Sequence, residues 1–284
     1  MNFWVTQAFN GISYGALLFL LSSGLSLIFG VMRIVNLSHG SYFLLGGYVA
    51  LTVIGATGSW LLAIPVSALT IGLIGLVMER VFLRRLGFDA LRQVLLTIGF
   101  ALLFQQAALD IWGGESRNIV IPHALGWSAQ VLGMYFPMYR VFMIGLVAVV
   151  GSVLWWTIEA TRFGAIIRAT VDDAQMARGI GIDTSRVSMA VFALGAALAA
   201  LGGVIGGGFT GIYPGLDFEV LPLAFAVVII GGMGSLRGAL AGSLIVGLMD
   251  NFGKALFPEL AYFTLYAPMA LILAVKPSGL FGRD

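Results

Sequence analysis

The sequence predicts an all-α protein, a polytopic transmembrane helical bundle of eight or nine membrane segments with Gly-interrupted helices. Three observations predict it. Of 284 residues, 60% are hydrophobic and 10% are charged, against about 25% charged in a soluble domain. Apolar stretches near the roughly 20 residues needed to cross a bilayer recur along the chain. The few charges gather in a handful of connections. A mean hydropathy of +1.01 agrees: too little polar surface exists to coat a soluble core.

The apolar stretches fall at 3–32, 41–57, 60–82, 93–112, 139–158, 187–209, 220–230, 239–257 and 261–275. The short ones at 41–57 and 220–230 decide between eight and nine crossings. Residues 1–284 read as a single membrane domain, without low-complexity segments. The N-terminus, MNFWVTQAF, carries no Lys or Arg before its apolar run, so it reads as a first membrane segment and not a removable signal. Gly-rich interruptions occur early (Asn36–Gly40, Gly46–Gly47) and late (Gly231–Gly234). Paired interruptions of this kind point to a transporter.

Three connections are too charged to insert: 79–92, 159–186 and the tail from Lys276. The second carries eight charges, and at about 2.5–3.5 kcal/mol each burying them would cost about 20 kcal/mol or more. With these three in the cytoplasm, together with Arg33 and Arg237, twelve of the fifteen Lys and Arg lie inside, and Arg117, Arg140 and Lys254 lie outside, as the positive-inside rule requires.

Whole chemistries drop out. Cysteine is absent, which removes disulfides, thiolate metal sites and cysteine catalysis. The sparse basic residues form no stripe, so no nucleic-acid partner is expected. His39 and His123 are the two histidines and fall far apart, so no metal is expected. No Gly-Lys-Ser/Thr phosphate loop occurs, and no second close acidic pair joins Asp172–Asp173, which leaves an enzyme without its constellation.

The most informative segment is 162–187, RFGAIIRATVDDAQMARGIGIDTSRV. Phe163, Ile166, Ile167, Thr170, Ala174 and Ala177 recur at helical spacing. Arg168, Asp172 and Gln175 share the opposite face. Gly179 and Gly181 end the helix, and Asp183 or Thr184 caps the next span. An amphipathic helix followed by a tight break suits docking into a partner's groove; a solvated linker is the other reading. Asn36, Ser38, His39 and Gly40 form either a pathway or gate element at membrane depth or a short cytoplasmic turn beside Arg33. Gly231, Gly232 and Gly234 serve close helix packing or a pathway. Asp217 and Glu219 flank an outer loop, solvated or docking a binding protein. Asp250 lies inside a predicted span, near Asn251 and Lys254.

These motifs resemble a known family. DDAQMARGIGIDTSRV is similar to the cytoplasmic coupling loop of ABC importer permeases, in the form used by the branched-chain amino-acid permease family. Asn36-Leu37-Ser38-His39-Gly40, Glu79-Arg80, Thr97-Ile98-Gly99, Ile229 to Ser235 and Pro277 to Arg283 resemble that family's segments in the same order. The short chain resembles the smaller of its two permease types.

The resemblance implies a role and its partners. A sister permease subunit, or a second copy of this chain, would complete the pathway. Two cytoplasmic ATPase subunits would hold ATP and Mg, with no cofactor on this chain. A periplasmic or extracellular solute-binding protein would deliver the solute, and lipid would surround the bundle in the bacterial cytoplasmic (inner) membrane. The coupling loop, about 160–186, would comprise Arg168, Asp172, Asp173, Ala174, Arg178, Gly179, Gly181 and Asp183. Asp172–Asp173 stands where importer loops often carry Glu-Ala-Ala, which leaves the matching ATPase open. The solute would be small and neutral or zwitterionic, a branched-chain or other amino acid. The rival is a self-contained channel or secondary transporter for a solute such as urea or an amide. Against it stands the scarcity of ionisable residues inside the spans, which suits energy supplied by partners.

Overall fold

A computed structural model describes residues 2–282 apart from Phe88 and Leu132. Arg283 of the C-terminal motif and the terminal Asp284 lie outside the described residues. Helices α1 (Asn2–Met32), α2 (His39–Thr57), α3 (Trp60–Val81), α4 (Ala90–Trp112) and α5 (Met138–Ala160) come first. Two short helices follow, α6 (Arg162–Asp172) and α7 (Ala174–Gly179). Then come α8 (Thr184–Thr210), α9 (Leu216–Gly231), α10 (Leu236–Leu256) and α11 (Ala261–Val275).

Six of these, α1 to α5 and α8, are long and apolar enough to cross a membrane. The expected eight or nine crossings exceed that number for a physical reason. At 16 and 15 residues, α9 and α11 reach about 24 Å at 1.5 Å per residue, short of a roughly 30 Å hydrocarbon core. The 21 residues of α10 carry Arg237, Asp250 and Lys254.

Small residues set the packing, as lipid-embedded helices require. α1 and α10 lie antiparallel: Gly11 meets Gly247 and Leu248, and Gly30 meets Gly234. α3 lies along α8 in the same way, with Trp60 clustered near Val204 and Gly75 against Phe192 and Ala196. These pairs belong to an internal repeat. α1, a break at 33–38, α2 and α3 correspond to α8, a break at 211–215, α9 and α10. Gly58-Ser59 before α3 matches Gly234-Ser235 before α10. Both glycines have positive φ, 68° and 80°. Both serines cap the following helix, Ser59 accepting from the Leu62 N–H and Ser235 from the Gly238 N–H. α3 runs inward and α10 outward, so the halves have inverted topology, an arrangement transporters use around a central site.

The outer end is capped by 113–137. A hairpin of β1 (Ser128–Val131) and β2 (Met134–Pro137) lies there, a small exception to the all-helical expectation. Arg117 exchanges two backbone hydrogen bonds with Ile212, at 2.9 and 2.7 Å, which stitches this cap to the second break.

Candidate functional site: a central polar junction, an inner helical arm and an outer cavity

The first break re-enters the bundle. His39 Nε2 lies 2.9 Å from the carbonyl of Leu21, about 16 Å of helix above Met32. Asn36, Ser38, His39 and Ser41 are fully buried, so they do not form a surface turn. Several of their polar groups find partners, as burial favours, while Asn36 Nδ2 and His39 Nδ1 are buried without a hydrogen bond. The Ser38 N–H and hydroxyl both donate to Asn36 Oδ1, at 3.0 and 2.7 Å. The Leu37 N–H donates to Thr97 Oγ1 at 3.2 Å, tying the break to α4.

The second break delivers α9 to the same depth. The Ser41 hydroxyl donates to Asp217 Oδ2 at 2.9 Å. Counted from the two matching serines, Ser41 and Asp217 hold equivalent positions in the halves, so the repeat's axis passes between them. A β-carbon on Gly40 would collide with the Asp217 backbone. Here the N-termini of α2 and α9 converge, and their partial positive charges favour a carboxylate. Asp217, expected at the outer surface as a docking group, is instead 2% exposed because it completes this junction. Glu219 stays exposed and accepts the Tyr213 hydroxyl at 2.7 Å. Burial, then Glu219, pushes the Tyr213 phenol up to about 12, so it remains a donor at physiological pH.

The glycines at 231–234 form a turn at the inner end. Gly231 meets Gly238, and Gly232 meets the C-terminal segment at Gly279 and Gly282. The Leu280 and Phe281 N–H groups donate to the Ile230 and Gly231 carbonyls, both at 2.9 Å. The C-terminal motif is thus a brace on the α9–α10 turn, which makes these glycines packing elements.

Also at the inner end, 162–183 folds as two helices and not the single one expected. Asp173 ends α6 and caps α7, accepting from the Gln175 and Met176 N–H groups at 2.8 and 2.9 Å. Asp183 caps α8 through the Ser185 and Arg186 N–H groups, each at 3.1 Å. Ile167, Thr170 and Ala177 of the apolar stripe are buried. Asp172, Asp173, Arg178, Gly179 and Gly181 are exposed, with Ala174 half-buried. Arg168 departs from the expected solvent face. Its guanidinium turns back to the Ile158 carbonyl and to Glu159, 3.7 Å away, because its long side chain can satisfy the open end of α5. Glu159 also lies 3.8 Å from Arg237 of α10, which stacks over Trp155. A cavity of about 800 Å³ opens beside this cluster.

Two residues escaped the sequence reading. Met176 and Ile180 are 65% and 69% exposed, an apolar knob on the arm. Their spacing of four, off the buried stripe, was the available signal.

The outer half holds a second cavity, of about 690 Å³, between α1, α9, α10 and α11. Asp250 and Lys254 line it and pair at 2.7 Å.

Comparison with known proteins places this architecture. Residues 7–273 match the family described as branched-chain amino acid transport system / permease component. The high-affinity branched-chain amino acid transport system permease protein LivH of Escherichia coli is 31% identical, over 99% of this chain and 96% of that protein. BraD, the corresponding permease protein of Pseudomonas aeruginosa, is 27% identical over the same shares. The autoinducer 2 import system permease protein LsrC of Yersinia pseudotuberculosis is 26% identical over 88% of this chain and 71% of that protein. No solved structure gives a significant match. Helices fit to cross a membrane, together with a family match across almost the whole length, make this chain a multi-pass cytoplasmic-membrane transport component that belongs to the branched-chain amino-acid transport permease family.

Proposed function

We propose that this chain is the membrane-spanning subunit of an ATP-driven importer of aliphatic amino acids, energised by separate ATPase subunits. The observation that carries the reading is the α6–α7 arm. It projects an apolar knob, Met176 and Ile180, ringed by Asp172, Asp173 and Arg178. An apolar anchor inside a polar rim suits a protein groove. Its buried stripe and the Arg168–Glu159–Arg237 cluster join it to α5 and α10. A push on the arm would therefore reach a helix that lines the outer cavity. Two ATPase subunits would receive the arms of this chain and of a sister permease or second copy. ATP and Mg belong to those subunits. A solute-binding protein would dock on the outer face, where Glu219 is exposed and Asp217 is not.

The test is co-purification from membranes carrying the neighbouring transport genes. ATPase subunits are expected with the wild type and lost from Met176→Asp/Ile180→Asp, while the permease keeps its thermal midpoint. ATPase retention by the double variant would overturn the arm's role.

A further inference from the structure

The outer cavity differs from an ordinary packing gap in what faces it. Its volume of about 690 Å³ falls in the range of small-molecule sites. One wall is apolar, with Leu17, Leu18 and Phe43. The facing rim carries Glu219 from α9 and Asn251 and Lys254 from α10. The Asp250 side chain is 8% exposed and holds Lys254 Nζ at 2.7 Å, while the Lys254 side chain is 62% exposed. The ammonium is thus anchored and still reachable. Asn251 Oδ1 is buried with no hydrogen-bond partner, which costs about 1–3 kcal/mol until a donor arrives.

The internal repeat supplies a control. Counted from Ser59 and Ser235, the residues matching Asp250, Asn251 and Lys254 are Ile74, Gly75 and Met78. Met78 is buried and Gly75 packs on Phe192 and Ala196. At these three positions the same frame is built without charge, although the neighbouring Glu79 is buried, so the fold does not require the polar set at these places on α10. Charges at this depth are expensive and call for a use.

We propose that this cavity is a transient binding site for an aliphatic α-amino acid inside the permease. Lys254 takes the carboxylate, Glu219 and Asn251 Oδ1 take the ammonium, and Leu17, Leu18 and Phe43 take the side chain. This rests on the amino-acid permease reading above. Two carboxylates against one ammonium give the rim a net negative charge. A carboxylic acid without an amino group is therefore rejected, and an amine without a carboxylate leaves Lys254 unused.

The absence of native cysteine gives a clean test. Thr210 is exposed and lines the cavity. The Thr210→Cys variant, in its full assembly in nanodiscs, is labelled with a soluble thiol reagent. L-Leucine at about twice its Kd should slow labelling about threefold. 4-Methylpentanoate and 3-methylbutylamine, each missing one charged group, should not. Adding Asp250→Asn/Lys254→Met, which leaves no buried charge unpaired, or Asn251→Leu should remove the protection without lowering the thermal midpoint. Equal labelling with and without L-leucine, or equal protection by all three compounds, overturns the site. Uptake by the same assembly separates the two readings. ATP-driven uptake without protection overturns this site and leaves the importer standing. Protection without ATP-driven uptake keeps the site and overturns the importer.

Discussion

α3 and α10 occupy matching places in the two halves, yet one face is packed solid and the other opens on a cavity. On α3, Met78 is 2% exposed and receives the Tyr42 hydroxyl at 2.8 Å, with the Ser38 hydroxyl at 3.7 Å. Gly75 lets Phe192 and Ala196 close in. On α10, the equivalent positions hold Lys254 and Asn251, which line the outer cavity. The backbone frame is shared, so the difference lies in the side chains. A dry plug braces the central junction from one side, and a polar vestibule reaches toward it from the other.

The largest effect comes from exchanging the pair. Met78→Lys puts an unpaired charge into the plug and should cost about 3 kcal/mol or more, read as a collapse of the thermal midpoint followed by tryptophan fluorescence. Asp250→Asn/Lys254→Met, which removes the whole pair, should leave that midpoint in place. Equal losses from the two exchanges would break the comparison. Next in size is Gly75→Leu, whose β-carbon starts 2.7 Å from the Ala196 β-carbon. Overpacking of this kind costs about 1–3 kcal/mol; Asn251→Leu, at a position that lines the cavity and carries a buried unpartnered oxygen, should cost less than about 0.5 kcal/mol. The caps come third. Ser59→Ala and Ser235→Ala should each lose about 1 kcal/mol, and a clear disparity would count against the repeat. Smallest is Tyr213→Phe. It removes one exposed hydrogen bond at the cavity mouth, worth about 0.5 kcal/mol, and phenolate absorbance assigned by difference to Tyr213 should appear only near pH 12.

Much of this was legible in the sequence, and the rest was hidden for definite reasons. The apolar runs located the long helices because lipid demands them. The charged connection located the α6–α7 arm because eight charges resist burial. The stripe of Ile167, Thr170 and Ala177 identified its buried face. The re-entry at 33–38 was legible only as one of two readings, beside a cytoplasmic turn. Asn, Ser and His in succession look like a solvated turn until Leu21, Thr97 and the α9 junction appear as neighbours. Asp217 read as a surface acid because nothing in its own segment reveals Ser41. Arg168 read as solvent-facing because helical spacing does not show where a long side chain turns. The paired glycine interruptions hinted at a repeat but misplaced it: Gly231–Gly234 matches Gly55–Gly58 and not Asn36–Gly40, so the register needed the matched caps at Ser59 and Ser235.

ATP-driven accumulation tests the central claim most directly. The complete assembly is reconstituted in proteoliposomes with the binding protein and radiolabelled L-leucine on one side and ATP and Mg on the other. The account predicts accumulation above the external concentration that requires ATP and is lost in Met176→Asp/Ile180→Asp. Accumulation or equilibration at the same rate without ATP or ATPase subunits would contradict it and make the chain a self-contained channel or secondary transporter.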